Sequence, residues 1–71
     1  MDFPKAVVVM RAFREMTQEE LATALGVSRA TIWQIERGFT PPAEMQDRIR
    51  EVLHWGPRED EALNVLAESA Q

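Results

Sequence analysis

Residues 17–38, TQEELATALGVSRATIWQIERG, decide the fold, because they predict two short helices joined by a tight turn. The first of these two helices begins with a capping box. In it, the Thr17 side chain accepts from the backbone N–H of Glu20, and the Glu20 side chain accepts from the backbone N–H of Thr17. Gly26 marks the turn, and Ser28 is a suitable N-cap for the second helix. The segment therefore predicts two helices with defined starting residues.

Apolar residues at helical spacing join these two helices into one core. They are Leu21, Ala22, Leu25, Val27, Ile32 and Ile35. Because these residues take up one side of the pair, the outer face of the second helix stays free to dock elsewhere. Small proteins use a two-helix unit of this kind to place a helix in the major groove of DNA.

The same segment resembles the helix-turn-helix family of phage repressor and Cro proteins, also called the XRE family. The resemblance rests on Gln18, Ala22, Gly26, Val27, Ile32, Ile35, Glu36 and Gly38, with Arg11 upstream and Pro41 and Leu53 downstream. It implies an all-α fold, a compact five-helix lambda-repressor-like domain in which helices 2 and 3 form the helix-turn-helix. Glu15 departs from the family pattern, which often has glycine at the end of helix 1, the helix that precedes the pair in residues 17–38. A glutamate there must adopt a costly left-handed conformation or end the helix differently.

Length and composition predict one domain, residues 1–71, that binds no cofactor. The chain has no cysteine, which excludes a disulfide and a thiolate metal site, and its single histidine, His54, cannot hold a metal alone. The longest apolar run, residues 6–10, is too short to span a membrane, and the N-terminus lacks the features of a signal peptide. We therefore expect no membrane partner and a cytoplasmic location, which the resemblance places in a bacterium or a phage-infected cell.

The net charge of −4 is unusual for a protein that binds DNA, but its distribution matters more than its sum. Basic and acidic residues balance in residues 1–40, so the whole acidic excess lies in residues 41–71. If the acidic half points away from DNA, the binding face stays locally positive. Non-specific affinity is then weak, and binding depends heavily on salt and on contacts to bases.

Proline and glycine residues delimit two further helices. A fourth is predicted at about residues 43–53, after two prolines, and a fifth at about residues 58–70, after Gly56 and Pro57. In one interpretation the fifth helix packs on the core, and in the other it forms a two-fold dimer interface with Trp55, Leu63 and Leu66. Both hold in part if Leu63 lies inside while Trp55 and Leu66 face a second copy. By resemblance, such a dimer binds a palindrome with half-sites about 34 Å apart.

The second helix of the pair in residues 17–38 is the third helix of the chain. Its outer face carries side chains that suit the major groove. An arginine binds guanine O6 and N7 with two hydrogen bonds, a glutamine pairs with adenine, and a small alanine fits against a thymine methyl group. By resemblance, Arg29, Ala30 and Gln34 occupy the base-contacting positions, and Thr31 and Ser28 are close enough to reach bases or phosphates. The alternative interpretation is an ordinary polar helix face.

Trp33 is the unusual member of the base-contacting set. It lies one turn after Arg29, on or near the side that faces DNA. There it packs on sugars or thymine methyl groups, or shields Arg29 and Arg37 by stacking. The alternative is that it leans into a groove beside the second helix.

Contacts to DNA phosphates are expected from Gln18, Ser28, Arg37 and Thr40, and such contacts set register rather than sequence preference. Gln18 begins its helix where the helix dipole and free N–H groups favour a phosphate. In the resembling family this glutamine bridges the DNA backbone and the third helix. The alternative is a solvated residue without a partner.

Arg11 and Glu36 match positions that form a salt bridge in family members, so we expect a structural ion pair. If buried, the pair stabilises little net, but breaking it on one side costs roughly 3–5 kcal/mol. The alternative is that Arg11 is a free surface cation.

These observations predict a sequence-specific DNA-binding regulator of transcription, similar to Cro and phage repressors. It would bind a palindromic operator in double-stranded DNA as a homodimer, through a recognition helix at residues 28–37. The alternative is a protein-interaction module, an antitoxin or phage adaptor that uses the same fold to bind a toxin or a polymerase component. An enzyme is not expected, since the sequence has no nucleophile–base set, no metal-ligand spacing and no glycine-rich phosphate loop.

Overall fold

The computed structural model describes residues 1–69, and helices account for most of them. In chain order they are α1 (Phe3–Phe13), α2 (Gln18–Leu25), α3 (Arg29–Glu36), α4 (Ala43–Val52) and α5 (Pro57–Ser69). This confirms the expected all-α, five-helix, lambda-repressor-like architecture, with α2 and α3 as the helix-turn-helix. Ala70, the expected end of α5, lies outside the described residues. Within the described range, no helix is long and apolar enough to cross a membrane.

Side-chain caps fix where the first three helices begin. Asp2 Oδ1 accepts a hydrogen bond from the Lys5 N–H at 3.1 Å. The capping box is present, since the Thr17 N–H donates to Glu20 at 2.9 Å and the Glu20 N–H donates to Thr17 Oγ1 at 3.0 Å. Ser28 caps α3 in the same way. These bonds satisfy N–H groups that have no partner inside a helix.

The first four helices share one kind of C-terminal ending, in which a residue with positive φ turns the chain away. At α2 and α3 this residue is glycine, Gly26 with φ 74° and Gly38 with φ 125°. At α1 it is Glu15, with φ 54°, and the following Met16 N–H closes the turn on the Arg11 carbonyl at 2.9 Å. Glu15 thus takes the costly left-handed conformation, the first of the two outcomes foreseen at this position.

The hydrophobic core lies where α2 and α3 pack against α1 and α4. Its large, fully buried side chains are Val7, Leu21, Leu25, Ile32, Ile35, Ile49 and Leu53. Burying a side chain of this size contributes about 1.5–3 kcal/mol each. Because α2 and α3 supply four of these seven residues, the angle between the two helices is set by the core.

Two arginines join helix ends that are distant in sequence. Arg14 donates to the carbonyls of Leu53 and His54 at 2.8 and 2.9 Å, and so ties the end of α1 to the end of α4. Arg48 donates to the Leu25 carbonyl at 2.7 Å and ties α4 to the end of α2. Both arginines satisfy carbonyls that lack a partner within their helix.

The structure corrects the assignment of Trp55 to a dimer interface. Trp55 is only 7% exposed, its ring stacks on Phe3 with centroids 5.4 Å apart, and its Nε1 donates to Asp60 at 2.6 Å. Leu63 is buried as well, at 5% exposed, whereas Leu66 is 51% exposed. Trp55 and Leu63 therefore belong to the core of one protomer, and α5 covers that core.

Candidate nucleic-acid interface

The helix α3 has one buried face and one exposed face. Ile32 and Ile35 point into the core and are fully buried. The opposite face exposes Arg29, Ala30, Trp33 and Gln34, and the exposed Arg37 follows directly. A helix held by its apolar side in this way presents a fixed set of polar groups to a partner.

An ion pair connects α3 to α1. Arg11 Nε donates to Glu36 Oε2 at 2.7 Å and Arg11 Nη2 donates to Oε1 at 3.1 Å, while Nη1 bonds the Met16 carbonyl at 2.9 Å. The side chains are 20% and 7% exposed, for Arg11 and Glu36 respectively. The guanidinium is therefore fully engaged inside the protomer, and its geometry orients the last turn of α3.

Gln18 extends this network to α2. Its Nε2 donates to Glu36 Oε1 at 3.0 Å, so the carboxylate of Glu36 accepts from both neighbouring helices. The interpretation of Gln18 as a residue without a partner is wrong, although nothing in the residues themselves pointed to Glu36 as that partner. The bond links the N-terminus of α2 to α3.

A cleft of about 420 Å³ opens beside this network, lined by Arg11, Thr17, Gln18, Glu19 and Arg29. The N–H groups of the first turn of α2 have no partner within the helix, and an anion is favoured at such a position. Glu19, next to Gln18 in the first turn of α2, adds a carboxylate to the lining, and its role there was not predicted from sequence. The cleft thus combines anion-binding groups with one acidic group.

Trp33 stays half-exposed and stacks with a cation. Its side chain is 49% exposed, and the guanidinium carbon of Arg37 lies 4.8 Å from the centroid of its ring. Such a contact contributes about 0.5–1 kcal/mol at an exposed site. Of the interpretations considered from sequence, the structure places Trp33 on the exposed side, against Arg37.

The remaining predicted contacts lie at the two ends of α3. The hydroxyls of Ser28 and Thr31 are hydrogen-bonded to each other at 3.0 Å at the N-terminal end. Thr40 is exposed in the loop after α3, and the side chain of Phe39 beside it is 56% exposed. The predicted base-contacting and phosphate-contacting residues are thus brought to one side of the α2–α3 unit or to its ends.

The charges on this side are few. Among the described residues, no ion pair involves Arg29 or Arg37. Glu20 lies at the N-terminal end of α2, and hydrogen bonds from the backbone and side chain of Thr17 hold its pKa below the ordinary value. The surface of the α2–α3 unit therefore offers two cations without an ionic partner and keeps Glu20 ionised.

Comparison with known proteins gives one match. A family model described as a helix-turn-helix domain matches residues 9–63, most of the chain, from α1 into α5. No curated protein and no solved structure matches significantly. The matched region includes the whole of α2, α3 and α4.

Proposed function

This chain belongs to the helix-turn-helix domain family, and from that premise we propose that it is a sequence-specific DNA-binding regulator of transcription. One observation carries the proposal: α3 buries Ile32 and Ile35 completely while it exposes Arg29 and Gln34 on the opposite face. A recognition helix must be held in this way for its outer side chains to contact bases in the major groove.

The base contacts follow from the chemistry of the exposed face. Arg29 suits a guanine and Gln34 an adenine, each through two hydrogen bonds, and Ala30 suits a thymine methyl group. Thr31 and Trp33 are the further base-contacting residues, Thr31 through its hydroxyl and Trp33 through apolar contact with sugars or methyl groups.

The phosphate contacts lie around this helix. Gln18 contacts a phosphate at the N-terminus of α2 while its amide holds Glu36, and Ser28 does so at the N-terminus of α3. Arg37 and Thr40 contact phosphates beyond the end of α3. These groups position the helix, whereas the base contacts carry the sequence preference.

The finer assignment is to the Cro-like and phage-repressor type, the XRE family. In it, the chain acts as a single domain in the cytoplasm and binds a palindromic operator as a homodimer. Support comes from the small size of the unit, 33 × 23 × 21 Å. A protomer of this size covers about one half-site, because half-sites recur every ~34 Å along B-DNA.

Selection of bound sequences from a random DNA pool tests this function, followed by anisotropy titration of the selected duplex. Arg29→Ala and Gln34→Ala should each weaken specific binding by about 1–3 kcal/mol and relax the preference at one base pair per half-site. Lys5→Ala, which removes one exposed cation from α1, is the charge-matched control for Arg29→Ala and should keep the preference. Base readout is refuted if both α3 variants bind the selected duplex as tightly as the parent.

A second candidate is a protein-interaction module that uses the same fold to bind a toxin or a polymerase component. The net charge of −4 and the half-exposed Trp33 favour it. Salt dependence separates the two. Affinity for DNA that falls as salt rises supports the regulator, and no measurable affinity at low salt supports the interaction module.

A further inference from the structure

A hollow of about 270 Å³ opens on the exposed face of α3, between side chains of its first and second turns. Arg29, Ala30 and Trp33 line it. Arg29 and Trp33 are four residues apart, so they lie one above the other on the helix, and Ala30 lies beside them. The hollow therefore combines one cation with apolar surface.

The two large side chains of the hollow are free to meet a ligand. Trp33 is 49% exposed, and among residues 1–69 Arg29 takes part in no ion pair. Arg37, one turn after Trp33, stacks on the indole ring at 4.8 Å from its centroid. This contact orients the indole, while the space between the indole and Arg29 stays open.

The hydrogen-bonding groups of the hollow are donors only. Arginine and tryptophan side chains have no acceptor, and alanine has neither donor nor acceptor. In the major groove a guanine presents two acceptors, O6 and N7, to an arginine, whereas a cytosine presents its N4 amino donor. The hollow thus suits a guanine at Arg29. For the base beside that guanine, it offers an apolar contact with Ala30 and Trp33.

The apolar group that a base edge presents in the major groove is a methyl group at C5 of a pyrimidine. Stacked bases are about 3.4 Å apart, so the base beside the guanine lies within reach of the apolar wall next to Arg29. Thymine and 5-methylcytosine carry this methyl group on the same ring atom, whereas uracil and cytosine lack it. A site that contacts only the methyl group accepts both methylated bases.

We propose that this hollow binds the C5 methyl group of a pyrimidine beside the guanine held by Arg29, and that it accepts 5-methylcytosine in place of thymine. The inference rests on the proposed function and extends it to a modified base. Methylation of a cytosine beside that guanine raises the affinity of the chain for the site. The chain thereby distinguishes methylated from unmethylated copies of one DNA sequence.

Anisotropy titrations of four duplexes test the methyl contact. The selected operator is made with thymine, uracil, cytosine or 5-methylcytosine beside the guanine whose preference Arg29→Ala relaxes. Thymine differs from uracil, and 5-methylcytosine from cytosine, only in the methyl group. Each methyl group should tighten binding by about 3–5-fold per half-site, as expected for the burial of one such group.

Variants of two exposed aromatic residues assign the effect to the hollow. Trp33→Ala should bring both affinity ratios close to 1, because it removes the indole wall, whereas Trp33→Phe keeps an apolar ring and should keep most of each ratio. Phe39→Ala removes a ring that is 56% exposed and lies outside the hollow, so it should keep both ratios. A Trp33→Ala protein that binds more weakly but with unchanged ratios would show that the indole only positions Arg37, and would overturn the proposal.

The same titrations separate this inference from the proposed function. A parent that binds the selected operator equally well with and without the methyl group overturns the methyl site and leaves the DNA-binding regulator standing. Selected sequences with purines on both sides of the guanine have the same consequence. A parent that binds no DNA overturns both.

Discussion

Arg11 and Glu36 form a two-point ion pair, 2.7 and 3.1 Å between donor and acceptor atoms, which fixes the end of α3 to α1. Gln18 adds a third hydrogen bond to the same carboxylate. The position of the exposed face of α3 therefore depends on a network that lies behind it. A change in this network alters both the stability of the fold and the presentation of α3.

Arg11→Ala should destabilise the protein by about 3 kcal/mol, which is the low end of the range for breaking a buried ion pair on one side. The low end applies because the Arg11 side chain keeps 20% of its exposure, whereas Glu36 is 7% exposed and loses its main partner. The Met16 carbonyl also loses a donor. Urea denaturation followed by circular dichroism measures the loss.

The double variant Arg11→Met with Glu36→Leu is the control for that measurement. It removes both charges and should recover most of the stability, because neither partner is then left buried and unpaired. A double variant as unstable as Arg11→Ala would show that the hydrogen bonds to the Met16 carbonyl and from Gln18, rather than the ion pair, account for the loss.

Glu15→Gly should stabilise the protein. Glu15 has φ 54°, and a side chain in the left-handed region costs roughly 1–2 kcal/mol. Part of this gain is lost because glycine makes the unfolded chain more flexible, so a net gain of about 0.5–1 kcal/mol remains. The melting temperature should rise by about 2–8 °C.

Glu61→Gly is the matched control, since Glu61 lies inside α5 and is exposed. There the same substitution should lower stability by about 1 kcal/mol. Opposite signs for the two variants follow only if the backbone conformation at residue 15 is left-handed. Equal losses would contradict the ending that the structure gives α1.

Local signals predicted the parts of this fold that depend on neighbours in sequence. Thr17, Glu20 and Ser28 cap their helices from within three residues, so their roles were visible in the chain. Ile32 and Ile35 were likewise predictable from helical spacing. The positions of α2 and α3 and the division of α3 into two faces follow from these signals alone.

The errors and omissions concern contacts between distant segments. Trp55 was open to two interpretations from sequence, because a large aromatic beside an apolar stripe fits either a core or a dimer interface. Its burial depends on Phe3, which is distant in sequence and stacks on its ring. An apolar groove lined by Phe13 of α1 and Leu66 of α5 was not predicted for the same reason, because it exists only once α5 packs beside α1.

Acid should destabilise the protein partly through its helix caps. Hydrogen bonds from the Thr17 backbone and side chain lower the pKa of Glu20, and a bond from the Gly56 N–H lowers the pKa of Glu59. A folded pKa below the unfolded value means that the stabilisation is complete above the unfolded pKa. It is lost as pH falls through the folded pKa. The melting temperature should therefore fall between about pH 5 and pH 3.

The double variant Glu20→Gln with Glu59→Gln should show a smaller fall over this pH range, since glutamine keeps an acceptor at each cap but does not titrate. Glu61→Gln, whose carboxylate takes part in no hydrogen bond among the described residues, should keep the fall of the parent. Thermal denaturation at several pH values decides, and identical profiles for the parent and the double variant would exclude the caps as a source.

Arg37→Gln should make DNA binding less dependent on salt. Arg37 follows α3, stacks on Trp33 and takes part in no ion pair within residues 1–69, so its charge is available to a phosphate. Each phosphate contact contributes about −0.9 to the slope of log K against log salt, so a dimer should lose about 2 units of slope.

Gln34→Ala should lower affinity for the selected operator but keep the slope, because it removes a base contact. Anisotropy titrations over a series of salt concentrations measure both quantities. Lys5→Gln, which removes a cation outside the α2–α3 unit, should change neither, and an unchanged slope for Arg37→Gln would remove Arg37 from the phosphate contacts.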